Sequence, residues 1–141
     1  MSPALVVDAS VALKWVLDED DSSLARALAA RELAVPDLLW SECANGLWRW
    51  VRQGALRQEV AQDRFETLRR APVLLTPAAT LLEQGLALAL ALDRPVYDCV
   101  YLALGLTRGA QLVSADRRFV NRVRRRADLS NSIMLLSELA H

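Results

Sequence analysis

The side chains that could do chemistry in this chain are acidic. The only histidine, His141, is the final residue and is expected to fray, which removes Ser-His-Asp triads and histidine metal cages. None of the five glycines falls in a G-x-x-x-x-G-K-S/T or G-x-G-x-x-G run, so no phosphate-cradling loop is written here. Cys43 and Cys99 lie far apart in apolar stretches with no ligand spacing, and read as small, reduced core residues of a cytoplasmic protein. Carboxylates remain.

Four of them have telling placements. Asp8 closes the run Ala4-Leu5-Val6-Val7, and Asp116 follows Leu112-Val113-Ser114-Ala115. Open α/β sheets bind ligands outside the carboxyl ends of their strands, so acids at two strand ends can project into one crevice. Each also suits a plainer role as a helix N-cap or turn former. Asp98 follows Pro95 at the start of an almost wholly apolar helical stretch, where a carboxylate meets the positive end of the helix dipole. Glu42 sits opposite the apolar stripe of Trp40, Cys43, Ala44, Leu47 and Val51, and an exposed charge is the default there. The same polar face carries Asn45 and Arg49, so this edge could turn toward a ligand if the helix borders the crevice.

These residues must be positioned by short apolar strands alternating with helices. Strands are expected at Ala4–Val7, Leu33–Val35, Val73–Leu75 (compact and buried) and Leu112–Val113, with Ile133–Leu136 a fifth strand or part of a terminal helix. Helices are expected after Ser10, from Ser22 or Ser23 to about Arg31, from Pro36-Asp37 to Gly54, over Arg57–Arg70, over Leu81–Leu92 with its Leu and Ala deeply packed, and over Tyr97–Leu106, ending at Gly105 or Gly109. Parallel strands need crossovers and helices supply them. The expected class is therefore α/β, three-layered, with a central parallel sheet of four to five strands flanked by helices.

A length of 141 residues leaves room for one domain, 1–141, and 53% hydrophobic residues can build its core. No run is long enough to span a bilayer and no leader pattern opens the chain, so neither membrane nor secretion by that route is expected. Seventeen basic residues balance seventeen acidic ones, but unevenly: residues 1–48 hold three basic against eight acidic, and residues 49–141 fourteen against nine. Such asymmetry can steer polyanions to one face. Six of the ten residues from Arg117 to Arg126 are arginine, either a solvated surface helix or a strip for polyanions.

V-V-D-A-S-V-A-L-K-W at residues 6–15, E-C-A-N-G-L at 42–47, Y-D-C-V-Y-L-A-L at 97–104 and S-A-D-R-R-F at 114–119 together resemble PIN-domain signatures. More narrowly the chain resembles the VapC-type toxins of toxin–antitoxin pairs, over essentially its whole length. The resemblance implies a PIN-like fold and an acidic cluster, Asp8, Glu42, Asp98 and Asp116, that binds Mg²⁺ or Mn²⁺ and hydrolyses RNA. It puts Ser10 and Ser114 at the polar edge of that cluster and Asn45 in support. Cys99 departs from the family, which often has alanine or another small residue there.

The chemistry is consistent with that implication. Hard cations prefer carboxylate and water oxygens, and crowded acids repel until a cation neutralises them. The expected protein is a metal-dependent endoribonuclease, the toxin of a two-component module, with a cognate VapB-type antitoxin and a homodimeric state as its partners. Arg117, Arg118 and Arg122 are the candidate contacts to RNA backbone or to an acidic antitoxin segment. Trp48 and Trp50 cannot both point inward on one helix, and a tryptophan-bearing groove between the early helices would suit a partner's amphipathic helix. Two alternatives are a Mg²⁺-binding receiver-like signalling domain and a non-catalytic PIN-like interaction module. The first wants adjacent acids after the first strand and a late lysine, whereas Asp8 precedes Ala9 and the sole lysine is Lys14.

Overall fold

A computed structural model describes residues 4–140, so the expected fraying at His141 lies outside the described residues. Strand β1 (Leu5–Val7) leads through Asp8 into a short helix α1 (Ala9–Ala12) and a 3-10 turn, Leu13–Trp15. Helix α2 (Ser22–Leu28) precedes β2 (Leu33–Pro36), then come α3 (Leu38–Arg52) and α4 (Gln58–Arg69). Strand β3 (Leu74–Thr76) is followed by α5 (Leu82–Leu92) and α6 (Val96–Arg108), then β4 (Leu112–Ser114), α7 (Arg117–Arg124) and β5 (Ile133–Leu135). A 3-10 segment, Leu136–Ala140, comes last, so the stretch after Ile133 is both strand and helical turn.

All five strands are parallel, in the order β3-β2-β1-β4-β5. Strand order therefore reverses between β1 and β4: the chain adds β2 and β3 on one side of β1, then returns to add β4 and β5 on the other. Right-handed crossovers that run in opposite directions carry their helices to opposite faces, which gives the three-layer α/β architecture. β1 and β4 are in register at Val6 with Leu112 and Val7 with Val113, so Asp8 and Ser114 leave the sheet side by side. Among the described residues no helix is long and apolar enough to cross a membrane.

Strands β1, β2 and β4 are short, largely apolar and buried throughout, as a sheet covered on both faces requires. Against them packs α6, whose residues from Cys99 to Gly105 are all buried. Gly105 lies inside this helix because a Cβ there would stand 2.8 Å from the carbonyl oxygen of Ala110. Gly109, at φ +65°, is the residue that closes it.

Several sequence expectations need correction. Pro36 ends β2 instead of opening α3, and it is Asp37 that occupies the helix N-cap position. Ser22 and Ser23 lie inside α2, whose N-cap position is Asp21; the Ser22 hydroxyl donates to the Leu17 carbonyl and accepts from the Glu19 N–H, fastening the acidic loop. Strand β3 is an edge strand, not a buried one, with Leu74 and Leu75 about half exposed. Helix α5 is packed on one side only: Leu82, Leu86 and Leu90 recur every fourth residue on its outer face, and Leu90 is 77% exposed. Alanines and leucines alternate there in sequence, but a helix sorts them by turn, so the pattern concealed an outward stripe.

Candidate active site

The carboxyl ends of β1 and β4 open into a cleft of about 570 Å³ whose lining includes Asp8, Ser10, Glu42, Asn45, Asp98 and Asp116. Acids distant in sequence thus meet at the strand-order reversal. Asp8 and Asp116 also fill the plainer role, for Asp8 accepts from the Val11 N–H and Asp116 from the Phe119 N–H at the N-caps of α1 and α7. Asp98 lies in the first turn of α6, and Glu42 one turn into α3. Glu42 does not sit on an open face, because α3 borders the cleft and the side chain is half-buried.

Hydrogen bonds join the two strand ends. Ser10 Oγ donates to Asp8 Oδ1 at 2.5 Å and accepts from the Ala115 N–H at 2.9 Å, and it lies 3.5 Å from Ser114 Oγ. Ser114 is fully buried, and its Oγ accepts from the Asp116 N–H at 3.1 Å. Neither serine carries a carboxylate's charge, but between them they fix the angle at which Asp8 and Asp116 leave the sheet. Asn45 lines the cleft as an exposed side chain.

The electrostatics are those of crowded, partly desolvated acids. Burial pushes Asp8 up to about 6, against the lowering pull of the Ser10 and Ser114 hydroxyls and the Val11 N–H. Burial also raises Glu42, and nearby Asp98 adds to the rise, while the Tyr101 hydroxyl donating to Glu42 Oε1 at 2.5 Å opposes it. Asp98 is raised by burial, with Asp116 adding to the effect and Arg94 opposing it.

Arg94 and Tyr101 are the site residues that sequence reasoning missed. The Arg94 guanidinium donates from one nitrogen, Nη2, to Asp98 at 2.8 Å and to Asp116 at 3.3 Å. It lies over the Phe119 ring, 5.5 Å from the centroid, and its Nε is the one buried side-chain polar atom without a partner among the described residues. Arg94 stands in the turn ahead of α6, outside the helix, so the helical-neighbour rule did not point from Asp98 to it. Tyr101, one turn beyond Asp98 within α6, is the residue that this rule could have marked.

A hard divalent cation fits this donor set. Among the described residues lining the cleft, the groups able to ligate a cation are carboxylate, hydroxyl and amide oxygens, and neither buried cysteine lines it; burial pushes the Cys43 thiol up to about 12 and that of Cys99 up to about 11. Among the described residues no three acidic, histidine or cysteine groups already enclose a common point. Each acid is instead held by a donor of the chain: Asp8 by Ser10, Glu42 by Tyr101, Asp98 and Asp116 by Arg94.

The arginine run stands apart from this cleft. Arg117, Arg118 and Arg122 are not among its lining residues. Arg122 donates to the Leu92 carbonyl, Arg124 makes a two-pronged pair with Glu138 at 2.7 and 2.6 Å, and Arg126 pairs with Asp128. Arg117 and Arg118 are exposed. The cations at the cleft are Arg94, which contacts two of its acids, and Arg49, which lines its wall.

This topology and this acidic switch point define a class, and the family model of the PIN domain matches residues 5–125. The chain belongs to the PIN-domain family. It is 36% identical over 122 residues to Ribonuclease VapC3 of Pyrobaculum aerophilum, an alignment covering 84% of this chain and 93% of that protein. It is 35% identical over 114 residues to Ribonuclease VapC9 of Mycobacterium tuberculosis, covering 81% and 87%. Among solved structures it resembles PAE2754 from Pyrobaculum aerophilum, with a TM-score of 0.69 at 23% identity over 98% of this chain and 90% of that one. A toxin–antitoxin complex from Klebsiella pneumoniae gives a TM-score of 0.54 at 15% identity over 80% and 87%.

Proposed function

We propose that this chain is a metal-dependent endoribonuclease, the toxin of a two-component module, built as a single domain over residues 1–141. The observation that carries the reading is the meeting of Asp8, Glu42, Asp98 and Asp116 in one cleft at the β1–β4 reversal, in a chain over a third identical to proteins named VapC ribonucleases.

Asp8, Asp98 and Asp116 would hold Mg²⁺ or Mn²⁺, with Glu42 a further ligand or the group that orients the attacking water. When bound, the cation supplies Lewis acidity for a phosphodiester and lowers the pKa of a water ligand. The chain's own residues do the rest. Ser10 and Ser114 hold the Asp8 carboxylate at a fixed angle, and a proton on Asp8 must leave before that oxygen can serve as a ligand. Glu42, with one oxygen occupied by Tyr101, has the other free to accept a hydrogen bond from water. A receiver-like role has no support, since Lys14 is engaged with the Asp20 carbonyl and Glu19.

Two apolar surfaces suit the expected partners. Between α3 and α4 a groove lined by Ala44, Leu47, Trp48, Ala61 and Phe65 leaves Trp48 56% exposed, and would seat an amphipathic segment of a VapB-type antitoxin. Along α5, the Leu82–Leu86–Leu90 stripe would pair with a second copy.

Purified wild type should cleave single-stranded RNA in Mn²⁺ or Mg²⁺ and lose that activity in EDTA. Asp98→Asn should fold and fall to background, because an amide lacks the ligand's charge. Cleavage at the wild-type rate by D98N, or by wild type in excess chelator, would overturn the reading.

A further inference from the structure

A second groove adjoins the acidic cleft and shares Ser10, Leu13, Arg49 and Asp116 with it. Its volume is about 440 Å³, within the size range of small-ligand sites, and its remaining wall includes Lys14, Glu19, Trp50 and Gln53. Its charges differ in kind from those of the cleft. Lys14 and Glu19 lie 3.9 Å apart and offset one another, and Asp116 is already paired with Arg94. Arg49 is left over: it is exposed on α3 and makes neither an ion pair nor a hydrogen bond among the described residues.

A polyanion crossing this surface therefore meets two environments in succession. The acidic cleft repels phosphate unless a cation lies between them, whereas the wall it shares with the second groove carries the unpaired guanidinium of Arg49, and the second groove adds an indole ring and an amide. Guanidinium pairs with phosphate, an aromatic face takes any base by stacking, and an amide can donate to or accept from a base edge. Arg49 and Trp50 are adjacent in sequence, so their side chains leave α3 about 100° apart, and both nevertheless line this groove.

We infer that this groove is a nucleotide subsite: it seats the residue of single-stranded RNA next to the scissile phosphate, with Arg49 on the backbone phosphate and Trp50 against the base. The inference rests on the ribonuclease reading and adds a place and polarity to it. It also moves the principal phosphate contact from the arginine run of α7 to α3.

The test measures binding of a fluorescein-labelled single-stranded RNA decamer to the D98N protein by anisotropy, in Mg²⁺, across a salt series. Arg49→Met should weaken binding several-fold and flatten the slope of log K against log salt by about 0.7, the release of one counterion from a single strand. Trp50→Leu should weaken binding by about fivefold or more and leave the slope unchanged, because stacking releases no counterion. Should Trp50→Leu fail to fold, Arg49→Met carries the test alone, since its side chain is exposed on α3. An unchanged slope in R49M, or a loss of affinity in Arg118→Met with R49M at the wild-type value, would overturn the subsite. No binding by any of these proteins would overturn the ribonuclease reading and the subsite together.

Discussion

Asp8 is the carboxylate of the cleft that lies deepest, only 7% exposed. Burial pushes its folded carboxyl up to about 6 against an ordinary 3.8, so between those pH values the folded state holds a proton that the unfolded chain has released. Stability linked to that proton is present at low pH and lost as pH rises through 6, a difference on the order of 3 kcal/mol for a shift of about two units. Asp8→Asn removes the titration and keeps an oxygen to accept from Ser10 and Val11. In metal-free buffer D8N should therefore gain stability relative to wild type between pH 4 and pH 7 in urea melts; a constant difference across that range would contradict the burial argument. The importance of Asp8 was legible in its position after a β-branched run. Its second role as N-cap was legible too, and the two do not compete: the cap fixes the carboxylate at the strand end from which it faces the cleft. What could not be read was Arg94. Its guanidinium spans two acids that are 18 residues apart in the chain, and only the packing of α6 on β4, at whose carboxyl end Asp116 stands, brings Asp116 within its reach.

Among the elements, α5 gives the clearest departure from the sequence reading. Ala and Leu in alternation suggest full burial, yet burial depends on which elements arrive on each side, and among the described residues nothing covers the outer side of α5. The helix packs on α6 through its buried side, which carries Gly85, Ala89 and Leu92, and leaves Leu82, Leu86 and Leu90 outward; Leu74 and Leu75 of β3 are exposed as well. If this face pairs two copies, Leu86→Glu with Leu90→Glu should convert a dimer to a monomer by light scattering, with secondary structure unchanged by circular dichroism. A double variant of unaltered mass would place the self-association elsewhere. Helix α3 is the contrasting element: its apolar stripe was legible from spacing, and Glu42, Asn45 and Arg49 share the edge that the sequence marked as able to face a ligand. The missing information was tertiary, because helical periodicity identifies a polar face without saying whether water or a cleft lies beyond it.

At the scale of the whole molecule, the parallel sheet was legible from short apolar strands alternating with helices, while the strand order was not. No local pattern encodes that β4 pairs with β1 instead of β3; the order emerges when α5 and α6 carry the chain back across the sheet, and the acidic cleft exists only because of it. The same assembly makes metal and fold interdependent. An ion that binds only the folded cleft stabilises it by about 2.7 kcal/mol at a hundred times its dissociation constant. Saturating Mn²⁺ should raise the melting temperature by about 5–10 °C in a domain of this size. EDTA should reverse the rise and Asp116→Asn should diminish it; a melting temperature indifferent to Mn²⁺ would mean that these acids do not act together.

The exposed edge at β3 has one further consequence. Its backbone runs for only three residues, Leu74–Thr76, with Pro72 shortly before it and Pro77 immediately after. Proline donates nothing to a ladder and a strand so short offers little template, so a foreign strand finds almost no backbone to grip. Leucines can therefore stand in solvent on this flank without inviting fibre growth, and any contact made there is decided by how side chains interlock.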